Sequence, residues 1–239
     1  MKSIFALLLG FALLSTSFAQ KDKKPWTEWS KKEAENILNK SPWGQMQTDT
    51  DTDEMFFRPT HSSPRAPNAV ERTVEGATNQ STNVFYGIRF FSARPIRQAF
   101  IRMIQLQQKN MDPDVLERMK NFAEIPAADS IIIAVTIEGT DKRSLSKVME
   151  IINSGVTGTL KNTTYLERSD GKRLFLQEYV PPGRDGFGAR FIFPRSVDQA
   201  SFLGTEFSEV RFVSDFDSTV KLNKRFKLAD MLLDGKLEY

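Results

Sequence analysis

The chain is 239 residues long and 40% apolar, with 19 phenylalanines, one histidine, no cysteine and a formal charge of +3. Disulfide frameworks, cysteine hydrolases, Ser-His-Asp triads and histidine-rich zinc sites lack their parts in such a chain. A balance so near neutrality also gives no footprint for nucleic acid, whose binders concentrate basic charge on one face.

Residues 1–19 read as a removable export signal. Lys2 supplies the positive start, residues 4–14 an apolar run of about ten residues, and Ser17-Phe18-Ala19 small residues at the −3 and −1 positions before Gln20. The run is shorter than the ~20 residues of a bilayer span. No cysteine follows it to carry a lipid, and no later segment is apolar for long enough to hold the chain in a membrane. Cleavage after Ala19, export to the periplasm or exterior, and no stable membrane anchor afterwards are therefore expected. Cleavage removes one lysine and no acid, leaving a net +2.

Residues 20–44 hold all three tryptophans, Trp26, Trp29 and Trp43, around a short helix. Ser30 and Glu33 match a capping box, in which the serine accepts from the N3 amide and the glutamate accepts from the cap amide. Trp29 and Ala34 occupy the staple positions on either side of the cap. Ala34, Ile37 and Leu38 form one apolar stripe, and Ser41-Pro42 ends the helix because a residue before proline is pushed out of the α region. A helix this short is marginal alone, so the tryptophans are expected to dock it on the main domain, or to serve a protein or glycan partner.

Residues 45–82 are polar and read as a linker. Asp49, Asp51 and Asp53 imitate the opening of a calcium loop, but Glu54 stands where glycine is needed and Thr60 where a bidentate glutamate is expected. His61 lies in the same stretch with no second imidazole or thiol, so no metal is expected.

Residues 83–239 read as a folded domain. Residues 83–91 alternate as a strand, and Ser92-Ala93-Arg94-Pro95 opens a helix with Ile96, Ala99, Phe100, Met103 and Leu106 on one side. Asp112-Pro113 starts a second helix. Residues 130–138 are β-branched and apolar on both faces, hence central in a sheet, and residues 144–153 form another helix, stopped near Gly155. Residues 163–168 and 173–179 flank Asp170-Gly171, a hairpin signal read with positive φ at both turn positions. Strands at 189–193, 209–213 and 220–226 and a turn of helix around 228–233 complete the chain. This order predicts an α+β fold, a mostly antiparallel sheet with helices packed on one face, plus the tryptophan-rich N-terminal helix on a linker.

Four segments carry a resemblance. The head Trp26-x-x-Trp29-Ser30-x-x-Glu33-Ala34-x-x-Ile37-Leu38-x-x-Ser41-Pro42-Trp43, the helix start Ser92-Ala93-Arg94-Pro95-Ile96-Arg97-Gln98-Ala99, the strand Gly188-Ala189-Arg190-Phe191-Ile192-Phe193-Pro194-Arg195 and the tail Met231-Leu232-Leu233-Asp234-Gly235-Lys236-Leu237-Glu238-Tyr239 resemble a family of exported bacterial proteins of acidobacterial type. The resemblance implies export and a common fold. It implies no catalytic residue and no cofactor.

What remains for chemistry is carboxylates and arginines. Glycosidases need two flanking carboxyls, for which Glu117, Glu124, Glu138, Glu150, Glu178 and Asp185 are the acids available. The loop from Gly183 to Gly188 has the wrong glycine order for a dinucleotide fingerprint and feeds a strand. Arg94 and Arg97 start a helix, where anions are favoured, and Arg190 and Arg195 flank the Phe191-Ile192-Phe193 strand, so these four could form an anion site. The expectation is a non-catalytic binding or structural component of the cell envelope with Trp26, Trp29, Trp43, Arg94, Arg97, Arg190 and Arg195 as interaction residues. The rival is a carboxylate-dependent hydrolase of glycans.

Overall fold

The structure is a computed structural model that describes residues 24–51, 82–108, 110–127 and 129–239. The export signal, His61 and most of the calcium-like loop lie outside the described residues. The fold is α+β, as expected, and all strand pairing is antiparallel. The strands β1 (Gly44–Asp51), β2 (Thr82–Phe90), β3 (Ser130–Gly139), β7 (Ala189–Pro194) and β6 (Glu178–Val180) form a five-stranded sheet in the order β1-β2-β3-β7-β6. A four-stranded sheet has the order β11-β10-β4-β5, from β4 (Thr164–Arg168), β5 (Arg173–Phe175), β10 (Glu209–Asp215) and β11 (Lys221–Lys227). Two ribbons, β8 (Ser196–Val197) with β9 (Ala200–Ser201) and β12 (Leu232–Leu233) with β13 (Lys236–Leu237), complete the set.

The core lies between the two sheets. From the larger come Tyr86, Ile88, Phe90, Ile131, Ile133, Phe191 and Phe193, and from the smaller Phe212 and Phe226, all fully buried. Phe90 meets Phe226 edge-on at 4.9 Å, and Phe191 meets Phe212 at 5.1 Å, the geometry that aromatic quadrupoles favour. Such burial is worth ~1.5–3 kcal/mol for each large side chain. The residues read as one strand over 173–179 serve both sheets. After β5 the amide of Leu176 bonds Thr164 O in one sheet, and the next amide, Gln177, bonds Ile192 O in the other. At the opposite edge the Gln47 amide bridges the sheets, donating to Lys221 O at 2.7 Å and accepting from Asn223 N at 2.8 Å.

Five helices are present among the described residues: α1 (Lys31–Lys40), α2 (Arg94–Gln107), α3 (Pro113–Glu124), α4 (Lys142–Ser154) and the single turn α5 (Thr157–Leu160). The capping box of α1 is complete, with Glu33 N to Ser30 Oγ at 3.3 Å and Ser30 N to Glu33 Oε2 at 2.6 Å. Asp112 caps α3 and Asp141 caps α4, so α4 begins two residues earlier than its apolar pattern suggests. The outer face of the larger sheet is covered by α1 and its neighbours α2 and α3. α4 packs against β3 and β2, and its Ile152 carbonyl accepts from Tyr179 Oη at 2.7 Å.

Several local readings change. Residues 44–51, composed like the start of a linker, are the edge strand β1, paired with β2 from Gly44↔Arg89 to Asp51↔Thr82. At the Asp170-Gly171 hairpin only Gly171 has positive φ, +83°. Its amide bonds Arg168 O and closes a turn one residue longer than the two-residue type. Two other turns do have positive φ at both central positions, Asp198-Gln199 at 51° and 66° between β8 and β9, and the Asp-Gly pair Asp234-Gly235 at 51° and 77° between β12 and β13. The helical turn expected over 228–233 is a short 3-10 segment, Leu228–Asp230, that runs into β12.

Candidate functional site

The tryptophans are used within the chain. Trp26 Nε1 donates to Glu124 Oε1 at 2.7 Å, Trp29 Nε1 to Lys24 O at 3.2 Å, and Trp43 Nε1 to Glu238 O at 2.7 Å. Trp43 is buried, and Trp29 packs half-buried on the core while its carbonyl accepts from Arg102 Nε at 2.6 Å. The N-terminal helix is therefore docked in cis.

Three of the four arginines lie near the tail, and the carboxylate at the start of α2 belongs to the chain itself. The Glu238 carboxylate accepts from Arg94 N, the first amide of α2, at 2.7 Å. It thereby fills the anion position of that helix, whose cap residue Ala93 offers no side-chain acceptor. Arg94 also reaches Asp234 at 3.2 Å and Glu124 at 3.9 Å. Arg97 is buried, with its terminal nitrogens on Ser92 O and Ile125 O. Burial pulls its pKa down, and the nearby Glu238 opposes this. Arg195 donates to Ala127 O and Tyr239 O and lies 3.9 Å over the Tyr239 ring. Arg190 stands apart, paired with Asp185 at 3.0 Å. The four arginines are thus all engaged within the chain, three of them around the tail and Arg190 with Asp185.

A large concavity lies elsewhere among the described residues. Between α1, α2 and the outer face of the larger sheet runs a cleft of about 1060 Å³, at the upper end of the usual ligand-site range. Its apolar wall is Leu38, Phe100, Met103, Ile104 and Met119, and its rim carries Lys32, Lys40 and Arg184 with Glu35, Glu138 and Asp185. At the floor is Arg89, 4% exposed. Arg89 donates to Leu38 O at 2.9 Å, Gly87 O at 3.2 Å, Thr136 Oγ1 at 2.6 Å and Asn39 Oδ1 at 2.6 Å. Every one of these acceptors is neutral. The guanidinium makes no ion pair among the described residues, and burial lowers its pKa to about 10 despite the field of Glu138. Part of its role is mechanical, since a cation at Leu38 O and Asn39 meets the negative end of α1.

The sequence hid this residue. In the alternation Ile88-Arg89-Phe90 the odd position reads as solvent-facing, and only the packing of a helix over that face buries it. Gly87 was equally silent: a Cβ there would run into the Arg89 guanidinium.

Of the acids, Glu138 and Asp185 line the cleft, Glu124 is bound to Trp26 and Gln98, and Glu117, Glu150 and Glu178 are exposed. Asp49 sits in β1 and accepts from Gln47 Nε2 at 3.1 Å. Among the described residues no three histidine, aspartate or glutamate side chains are placed to hold a metal. The Gly183 to Gly188 loop enters β7, with Gly186 and Gly188 at positive φ. Comparison with protein-family models, curated proteins and solved structures finds no match.

Proposed function

We propose that the protein is an exported, non-catalytic binding or structural component of the cell envelope, with its ligand site in the cleft above Arg89. Arg89 carries this reading: a buried cation surrounded by neutral acceptors, at the floor of a ligand-sized cleft, favours an incoming anion. An unpaired charge of this kind is costly to bury, and an acidic group on a ligand would compensate it. Phe100, Met103, Ile104 and Met119 suit a hydrocarbon body on that ligand, so the class is an amphipathic acid. The export signal over residues 1–19 supports the compartment, and no helix among the described residues is long and apolar enough to cross a membrane.

Calorimetric titration of the mature protein with dodecanoate and with dodecanol tests the reading. Saturable binding of the acid, at least ten-fold tighter than the alcohol and with that preference lost in Arg89→Met, supports it. Arg89 also anchors α1, so Met103→Glu is the second variant: it leaves Arg89 in place, sets an acid in the cleft and should weaken dodecanoate to a similar degree. Equal affinity for acid and alcohol, or no saturable binding of either, overturns it.

One observation favours the hydrolase reading, since Glu35, Glu138 and Asp185 line the same cleft. Turnover of any glycoside in a broad panel that disappears in Glu138→Gln would establish it over the binding reading.

A further inference from the structure

We propose that the outer face of the four-stranded sheet is a second binding surface, for an acidic polysaccharide. The register sets four side chains in one row across this face: Arg225 opposite Arg211, Arg211 opposite Glu167, and Glu167 opposite Arg173. Like charges directly opposite on antiparallel strands destabilise a sheet. Here the compensation is poor. Glu167 is engaged by Arg173 at 2.6 Å and reaches Arg211 only at 3.9 Å, while Glu209 reaches Arg225 at 3.7 Å. The row thus sets two arginines side by side with only long ion pairs to offset them, Arg211 being held in addition by Asn223 Oδ1 at 2.7 Å, an arrangement that a bound anion would relieve.

The neighbouring row, Asn223, Val213, Tyr165 and Phe175, supplies rings and an amide. Phe175 is 49% exposed and edge-on to Tyr165, whose own ring is covered by the Arg173 guanidinium at 4.3 Å. At the β11 side the face opens into a groove of about 470 Å³, lined by Gln45, Gln47, Arg211, Asn223, Lys224 and Arg225, three cations and three amides without a carboxylate. The strand positions of the face and its groove together hold six cations against three acids, a surplus equal to the +3 of the whole chain. The near-neutral total therefore conceals a basic face.

Cations beside amides and one open aromatic ring suit a chain of sugars bearing carboxylates, because amides pair with hydroxyls and arginine with carboxylate. Single-stranded nucleic acid is less well served, since successive bases need successive open aromatic faces and Phe175 offers one. The surface is separate from the Arg89 cleft, so either proposal can fail alone.

The test is titration of the mature protein, at low and at high salt, with a polygalacturonate oligomer, with its methyl ester and with the single-stranded oligomer dT10. Expected are salt-sensitive binding of polygalacturonate, at least ten-fold weaker binding of the ester and of dT10, and at least a ten-fold loss in Arg211→Gln, Arg225→Gln and Phe175→Ala. Arg225→Gln should also unfold at equal or higher urea than the parent, because it removes a like-charge neighbour; this separates lost binding from lost folding. Equal binding of ester and acid overturns the proposal, as does no binding of polygalacturonate at low salt. Tighter binding of dT10 than of polygalacturonate overturns it in favour of nucleic acid.

Discussion

Replacing Glu238 by alanine should unlatch the tail from the first turn of α2. The Glu238 carboxylate accepts the Arg94 amide at 2.7 Å, and Ala93 cannot substitute as an acceptor. Losing a cap of this kind costs ~0.5–2 kcal/mol, and losing a negative charge at a helix N-terminus a further ~0.3–1 kcal/mol. Glu238→Ala should therefore cost roughly 1–2.5 kcal/mol, and Glu238→Gln, which keeps an oxygen acceptor, only the charge part. For a protein of this size about 1 kcal/mol lowers Tm by ~2–4 °C. Urea unfolding followed by tryptophan emission reads the effect, because Trp43 lies in the same clasp and its indole bonds the Glu238 main chain, which both variants retain. High salt should shrink the parent-to-glutamine difference and leave the glutamine-to-alanine difference, since screening acts on the charge alone. An alanine variant as stable as the parent would refute the assignment of Glu238 as the cap of α2.

Ser30→Ala should cost ~0.5–2 kcal/mol through loss of the α1 cap, measured by the same urea titration. Glu33 is held at about 2 by the Ser30 amide and then the Ser30 hydroxyl, well below the usual carboxylate range. A lowered carboxyl pKa contributes stability that is complete above that usual range and fades as pH falls from it toward 2, so Trp29 emission should shift on acidification over that interval and not between pH 6 and 8. Gly188 has a φ of +78°, and a Cβ there would collide with the Val135 carbonyl. Gly188→Ala should therefore destabilise by clearly more than Gly171→Ala, which at +83° with open space around it incurs only the ~1 kcal/mol of left-handed backbone. Phe191→Ala, in the middle of the core, should cost ~3–5 kcal/mol. N-terminal sequencing of the exported protein should begin within a residue or two of Gln20; a product starting at Met1 would refute the export reading.

The elements that read correctly from sequence are those whose local signals agree with their surroundings. β3 is apolar on both faces because it is the middle strand of five, covered by core on one side and helices on the other. α1 was visible through Ser30 and Glu33 because a capping box is a local device, complete within four residues. β1 gave no signal because an edge strand on a wet margin can be polar throughout. Its sequence Gly-Gln-Met-Gln-Thr-Asp-Thr-Asp has no apolar alternation, and its place is secured by pairing to β2 and by the Gln47 bridge to β11. The break between β5 and β6 was hidden for a different reason: alternation records which side chains face inward, and both halves face the same core from different sheets.

The candidate sites follow the same logic. The sequence leaves Trp26, Trp29 and Trp43 open to docking in cis or to a partner, and Arg94, Arg97, Arg190 and Arg195 open to an anion site, because tryptophan and arginine are also the residues that interfaces favour. Folded interiors use the same chemistry, and here the chain consumes it. The head ends on Trp43, whose indole bonds the tail at Glu238. The helix start presents the Arg94 amide to that same glutamate, and Arg195, closing the β7 segment, holds Tyr239. Four segments far apart in sequence thus meet at one clasp. Their tryptophans and arginines are accounted for by closing the fold, and the proposed recognition therefore falls to residues outside the clasp: Arg89 beneath its helix, and the arginine row on the far sheet, where a charge count over the whole chain averages to nearly nothing.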